Sequence, residues 1–293
     1  MKPAAFEFRS PRALDEVLLE LREHGEDARI LAGGQSLVPL MNFRMLQPAV
    51  LVSINDCAEL SYIREEEDGV LCGALARQWD VENHPGARRS CPLLAEALRH
   101  VGGRSNRNRG TVCGSLTHAD PLAELPAVAL ALDAVMLVNG PSGRREIAAA
   151  DFFVGALENC LQPQEMLEAT RFPRQPRGVR SAFLEMGNRK HGFALAGVAL
   201  ELGIEDGKCS SVRIAVMGGE STARRLHRTE RQLLGSPVDA ATRREMGRLA
   251  TQEVEMAGDF HADGAYRKQL AGVLVERALA EAAAEPQPTP RSA

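Results

Sequence analysis

Two short stretches of this 293-residue chain carry residue types that could do chemistry. The first is Arg104 to Pro121, RSNRNRGTVCGSLTHADP, a cluster of arginines and asparagines with two glycines and with Thr111 and Ser115 bracketing Gly114. A backbone of this kind offers several N–H donors in close order, backed by cations, and suits an anion such as a pyrophosphate. The second is Ala32-Gly33-Gly34-Gln35-Ser36-Leu37, directly after the apolar run Arg29-Ile30-Leu31. Adjacent glycines after a buried strand permit positive φ and let a ligand come against the backbone. Gln35 and Ser36 add side-chain hydrogen bonds; an ordinary glycine-bearing turn is the competing reading. Taken together, the two loops read as one split site for a dinucleotide.

The other polar groups nearby each have two readings. Arg107 and Arg109 either neutralise a diphosphate or face water and pair with carboxylates. His118 and Asp120 could be an acid–base pair, but no third partner is evident, and a helix cap is the better role for Asp120. Glu124 either faces the same loop or is a solvated first-turn carboxylate. There is no G-x-G-x-x-G and no G-x-x-x-x-G-K-[ST], and the helix precedes the loop's strand, which disfavours a nicotinamide-type doubly wound domain. The six cysteines have irregular spacing and no Cys-x-x-Cys pair. They read as buried reduced thiols, so any iron–sulfur cluster serving this chain must sit on another one.

The elements that must position the loops follow from patterning. Phe6 to Phe8 reads as a strand; Ser10 as N-cap and Pro11 at the first helical position start a helix whose stripe is Leu14, Val17, Leu18 and Leu21, with Gly25 as its stop. Ala28 to Leu31 and Val50 to Ile54 read as strands, and Tyr62 to Ala74 as a hairpin whose block Glu65 to Asp68 is a solvated turn. Cys91 to Val101 has helical spacing, and Pro121 to Leu132 is an alanine-rich helix kinked at Pro126. Ala134 to Val138 and Leu167 to Phe172 are further strands, and a boundary falls at Pro173 to Gly178. Beyond it come strands at Ala194 to Ile204 and Val212 to Val216, then helices at Leu226 to Leu234, Asp239 to Met256 and Ala265 to Ala284. The sum is an α+β protein. A net charge of −4 gives no general attraction to nucleic acid, and no apolar run is long enough for a membrane span. A cytoplasmic location is expected, since the first residues lack a signal-peptide pattern.

At these residues the chain resembles the flavin-binding medium subunit of molybdenum hydroxylases, the group of carbon monoxide dehydrogenase and xanthine dehydrogenase. AGGQSL from Ala32 and NRNRGTVCGSLTHADPLAELP from Asn106 look like that family's two FAD loops. DFFVGALENCLQPQEMLEATRFP, Asp151 to Pro173, and RKHGFALAGVAL, Arg189 to Leu200, look like two further family segments. The resemblance implies an FAD-binding domain of the vanillyl-alcohol-oxidase/PCMH type over residues 1–175, with subdomains at about 1–56 and 57–175. It also implies a C-terminal α/β domain of the CO dehydrogenase flavoprotein type over 178–284; the proline-rich residues 285–293 read from their composition as a disordered tail. It places FAD on Ile30, Leu31, Ala32, Gly33, Gly34, Gln35, Ser36 and Leu37, and on Thr111, Val112, Cys113, Gly114 and Ser115. Glu124 matches an acidic residue at the cofactor's sugar, Val101, Leu167 and Leu184 are looser matches, and Phe193 stands where an aromatic often lies by the isoalloxazine.

The chain departs from the family pattern at Cys113, which replaces a glycine, and at Gln35, where His or Asn is also common. No residue here is expected to be catalytic and no metal ligand is expected. The implied role is that of the FAD subunit in a heterotrimer. A large partner carries the molybdopterin cofactor and a small partner carries two [2Fe–2S] clusters. Electrons leave those clusters through FAD to an external acceptor, and a dimer of heterotrimers is the expected assembly. The competing readings are a free-standing flavoenzyme of the same fold and a non-redox assembly module.

Overall fold

The computed structural model describes residues 2–189 and 192–284; the expected tail at 285–293 lies outside the described residues. The architecture is α+β, built around three hydrophobic cores that follow one another along the chain. The first core sits under a three-stranded parallel sheet in the order Glu7–Arg9, Val50–Ser53, Ala28–Leu31. Helix Leu14–His24 packs there through Leu14, Val17 and Leu21. The expected cap at Ser10 is not formed. Ser10 Oγ donates to Asp56 Oδ2 at 2.8 Å, and the helix begins only at Leu14, whose N–H donates to Glu59 Oε1 at 2.7 Å. A distant carboxylate thus does the capping that local sequence assigned to a serine.

A five-stranded antiparallel sheet carries the second core, in the order Ile63–Glu66, Gly69–Gly73, Met166–Pro173, Val135–Gly140, Gly143–Ala148. The expected hairpin is its first pair. Glu65, expected as part of a solvated turn, instead ties that hairpin to its neighbours. It accepts from Ser90 Oγ at 2.6 Å and from Arg89 and Arg174, and the bonds from Ser90 and then Arg89 pull its carboxyl down to about 2. Helices Pro92–Leu98, Val112–His118 and Glu124–Ala131 cover the sheet's inner side. The last of these starts at Glu124 and not at Pro121. Pro126 is therefore in the first turn, where its missing N–H would have had no intrahelical acceptor, so it forces no kink. Asp120 Oδ1 accepts from Leu122 N at 2.9 Å, which caps the turn before the helix and not the helix itself.

The third unit is an antiparallel sheet in the order Val179–Gly187, Ala194–Glu205, Lys208–Met217, Arg224–Arg225. One face, with Phe183, Ala199, Ala215 and Met217, joins the second core; the other, with Ala182, Val198, Leu200 and Ile214, packs on helices Ala240–Glu253 and Gly264–Ala283. Both faces are covered, which is why ALAGVALELG is buried throughout, does not alternate, and is apolar apart from Glu201, which is paired with Arg213. This layering presses the C-terminal sheet against the helix that follows the second loop.

Candidate functional site: a cleft between two glycine loops

The strand Ala28–Leu31 delivers the first loop to the edge of the parallel sheet, and helix Leu37–Asn42 leads away from it. Gly34 takes φ +72°, and a methyl group on Gly33 would collide with the carbonyl oxygen of Arg109 and stand 2.8 Å from Gly110 Cα. The two loops, far apart in sequence, are therefore in backbone contact at Gly33. Their junction opens into a cleft of about 380 Å³ lined by Leu31, Ala32, Gly33, Gly34, Gln35, Val38, Pro39, Asn55 and Arg109. The N–H groups of Gly33, Gly34, Gln35 and Ser36 find no acceptor among the described residues. Gln35 Nε2 folds back onto the Gly33 carbonyl at 3.1 Å. Ile30 and Leu37 are half-buried at the two ends of the loop.

The second stretch is more helical than its composition suggested. Arg104–Arg107 is a single helical turn, and Val112–His118 is a helix capped by Thr111, whose Oγ1 accepts from Gly114 N at 3.0 Å. The Thr111 hydroxyl serves that cap. Thr111, Val112 and Cys113 are buried, whereas Gly114 is exposed and Ser115 half-buried, so the outward face of this helix is Gly114 and Ser115. Cys113 points into the core, with Sγ 3.4 Å from Thr170 Oγ1, and burial pushes its thiol up to about 12. A side chain in place of the family's glycine is accommodated because it is turned away from the loop surface.

The arginines divide sharply. Arg107 is buried: Nε donates to Glu82 Oε2 at 2.8 Å, and Nη1 to the carbonyls of Val101 and Gly102 at 3.1 and 2.8 Å. It is internal structure and cannot neutralise a diphosphate. Arg109 is exposed and lines the cleft.

Beyond the helix, Glu124 lies where the C-terminal sheet meets the second core. Burial pushes its carboxyl up to about 7, with Glu185 and Asp120 adding to the rise. His100 Nδ1 stands 3.4 Å from Glu185 Oε1, and that contact raises the imidazole above its ordinary value. His118 is pulled the other way by burial. Val101 and Leu167 are buried in the second core, Leu184 packs toward the C-terminal core, and Phe193 is exposed at 71%. Among the expected residues, the cleft gathers Leu31 to Gln35. Glu124 and Phe193 are not in its lining.

Two residues of the site had no local signal. Asn55 Nδ2 donates to the carbonyls of Leu31 and Ala32 at 3.2 and 3.0 Å. Arg77 Nη2 donates to Asn55 Oδ1 at 2.7 Å, and its Nη1 to the Arg109 carbonyl at 2.6 Å. These bonds span 22 to 32 residues, beyond the reach of any spacing argument.

The model of the FAD binding domain in molybdopterin dehydrogenase matches residues 4–175, and that of the CO dehydrogenase flavoprotein C-terminal domain matches residues 181–282. The chain belongs to the molybdopterin dehydrogenase flavoprotein family. This flavoprotein subunit is 39% identical over 284 residues to the caffeine dehydrogenase subunit beta of Pseudomonas sp. (strain CBB1), covering 97% of this chain and 96% of the relative. It is 37% identical over 293 residues to the 6-hydroxypseudooxynicotine dehydrogenase complex subunit alpha of Paenarthrobacter nicotinovorans, covering 100% and 99%. Among solved structures, carbon monoxide dehydrogenase from Hydrogenophaga pseudoflava superposes with a TM-score of 0.94 at 35% identity, covering 96% of this chain and 98% of that one. The chain is thus an FAD-binding medium subunit of the oxidoreductase type found in molybdenum hydroxylase complexes.

Proposed function

We propose that this subunit binds FAD between its two glycine loops and forms the electron exit of a three-subunit molybdenum hydroxylase. The observation that carries the reading is the contact of Gly33 with the Arg109 carbonyl, which unites the loops into one cleft. FAD fits that cleft on the chemistry present: four N–H donors without acceptors among the described residues, an exposed cation at Arg109, and a glycine-bare floor. Leu31 to Ser36 and Arg109 would hold the diphosphate, and Gly114 and Ser115 offer backbone and hydroxyl along the adjoining helix face. Glu124, Val101, Leu167, Leu184 and Phe193 are assigned to the cofactor's sugar and ring surroundings by resemblance.

When bound, FAD supplies the exchange between one-electron delivery from [2Fe–2S] clusters and two-electron delivery to an external acceptor. The protein's own part is to bind, orient and shield the cofactor. Among the described residues there is no group of three or more His, Cys, Asp or Glu side chains placed to hold a metal ion. The partners proposed are a large subunit with the molybdopterin cofactor and a small subunit with two [2Fe–2S] clusters, assembled as a dimer of heterotrimers in the cytoplasm. No described helix is long and apolar enough to cross a membrane. The relatives' names point to different substrates, which suits a substrate pocket on another subunit.

The test is an absorption spectrum of the tagged chain purified from its native host, with its partners identified on a gel. Flavin bands with iron–sulfur absorbance and two co-purifying subunits are expected. A chain that stays colourless after FAD is added would reject the reading.

A further inference from the structure

We propose that Arg77 and Asn55 are the positioning residues that lock the two cofactor loops into a single diphosphate cradle, and that the bound diphosphate in turn neutralises a cation pair formed by Arg77 and Arg109. The inference rests on the FAD reading above and goes beyond it by naming what sets the loops' register.

The geometry is a continuous chain of hydrogen bonds. Ser53 Oγ accepts from Asn55 Nδ2 at 3.1 Å, and the same amide holds the Leu31 and Ala32 carbonyls at the base of the first loop. The Asn55 carbonyl oxygen is held by Arg77, whose second nitrogen grips the Arg109 carbonyl. That carbonyl is the one pressed against Gly33. Around Arg77 the backbone is fixed as well, since Gln78 N donates to Gly110 O at 2.9 Å and Val112 N to Ala76 O at 3.0 Å. One planar guanidinium therefore grips the second loop directly and the first through Asn55, a two-pronged task its rigid fork performs and a lysine ammonium cannot.

The electrostatics are unbalanced. Burial, and then the neighbouring Arg109 cation, lower Arg77 below the ordinary guanidinium value. Among the described residues neither guanidinium makes an ion pair with a carboxylate within 4.0 Å. Asp80 opposes part of the lowering at Arg77, and the two cations beside unsatisfied N–H donors leave a local excess of positive charge that an anion in the cleft would offset. A diphosphate brings that charge to the same point. The latch and the ligand then stabilise each other: the ordered loops bind the anion, and the anion removes the repulsion that strains the latch.

The experiment uses the full chain with its partners, stripped of flavin and titrated with FAD by fluorescence quenching at several salt concentrations. The variants are Arg77→Met, Arg77→Lys, Asn55→Ala and the double variant Arg77→Met/Asn55→Ala. Loss of a charged hydrogen bond predicts FAD binding weakened about tenfold to a hundredfold for Arg77→Met. Arg77→Lys, which keeps charge but not the fork, should weaken binding nearly as much while retaining the wild-type salt dependence. Arg77→Met should flatten that dependence. Asn55→Ala should weaken binding without changing the slope, and the double variant should be little worse than the worse single one, because both act through one chain of bonds. Hydrogen exchange of the flavin-free chain at Gln78 and Val112, whose N–H groups are bonded across the junction, should speed up in every variant.

Arg77→Met binding FAD like the wild type, or two single effects that simply add, would overturn the latch. If Arg77→Met does not fold, Arg77→Lys and Asn55→Ala carry the same comparison. A wild-type chain that binds no FAD would instead overturn the reading beneath it.

Discussion

Two arginines in this molecule perform the same mechanical task in opposite electrostatic settings. Arg77 grips the Arg109 carbonyl beside Gly33, and Arg267 grips the carbonyls of Leu195 and Gly218 at 2.8 and 2.9 Å. Each holds a glycine-containing crossing where no side chain fits. Arg267 is 2% exposed and is answered by Asp259, whose Oδ2 lies 2.8 Å from Nη2 and whose carboxyl is pulled down to about 2 by that bond. Among the described residues Arg77 makes no ion pair with a carboxylate; Asp80 offsets only part of the effect of burial and of its neighbouring cation Arg109. A buried charge compensated within the chain marks internal structure; a charge left uncompensated at a cleft marks the place of a ligand. Arg107, with Glu82, belongs to the first kind, one of the two readings its sequence neighbourhood allowed.

The comparison breaks most easily at Arg267. Replacing it with Leu leaves the buried carbonyls of Leu195 and Gly218 without their side-chain donor, and should lower folding stability by about 2–5 kcal/mol. Urea unfolding of the purified chain checks this, and a change under about 1 kcal/mol would show the node to be dispensable. At the cleft the corresponding change is Gly33→Ala. Its new methyl meets the Arg109 carbonyl, so the loops must separate, at a cost of about 1–3 kcal/mol in FAD binding, or roughly fivefold to 150-fold in affinity. The melting midpoint of the flavin-free chain should move by only a few degrees. Equal damage to fold and affinity would erase the distinction between the two kinds of crossing.

Much of this contrast was readable in advance, and the rest was hidden for physical reasons. Periodicity located the helix with Leu14, Val17 and Leu21, adjacent glycines located the first loop, and the arginine and asparagine cluster with Thr-x-x-Gly-Ser located the second stretch, because those signals are local. Local propensity failed where a distant partner took over. Glu59 caps the first helix in place of Ser10, and Ser90, Arg89 and Arg174 claim Glu65 from across the fold. The strand Gly143–Ala148 went unread because its one buried residue, Ile147, gives no alternation to count, and Val179–Gly187 because it lies directly after the proline-rich boundary. In the site, Arg107 and Arg109 are two residues apart and indistinguishable by type. Only the fold decides that one points at Glu82 and the other at the cleft. Asn55 and Arg77 sit in unremarkable sequence and become functional only through contact.

A smaller effect tests the other end of the proposed site. The Glu124 carboxyl has its value raised from 4.5 to about 7 by burial, so the fold favours its protonated form. Its contribution is fully present below the unfolded value and is lost as pH rises through about 7. Glu96, raised by burial, and His100, raised by Glu185, have the same sign. The flavin-free chain should therefore be more stable at pH 6 than at pH 8, by roughly 1 kcal/mol from Glu124. Glu124→Gln should remove most of that slope. Urea midpoints from pH 5.5 to 8.5 decide it, and an unchanged slope in the variant would assign the pH dependence to Glu96 and His100 alone.

The smallest effect comes from Cys113, the counterpart of Gly33 in the second loop. At Gly33 any side chain enters the contact between loops; at Cys113 the side chain turns inward onto Thr170 and the strand carbonyl of Cys72. Position in a cofactor loop therefore does not by itself make a residue face the cofactor. Cys113→Ala should cost roughly 1 kcal/mol of stability through lost packing and leave FAD affinity within about twofold. In the native chain a thiol reagent should modify Cys160 first, since it is half-buried while the other five cysteines are buried, and Cys113 should stay silent until unfolding. Early labelling of Cys113, or loss of FAD from the alanine variant, would mean that this helix start presents its side chains to the cleft. Gly114 and Ser115 would then lose their place as the face that meets the cofactor.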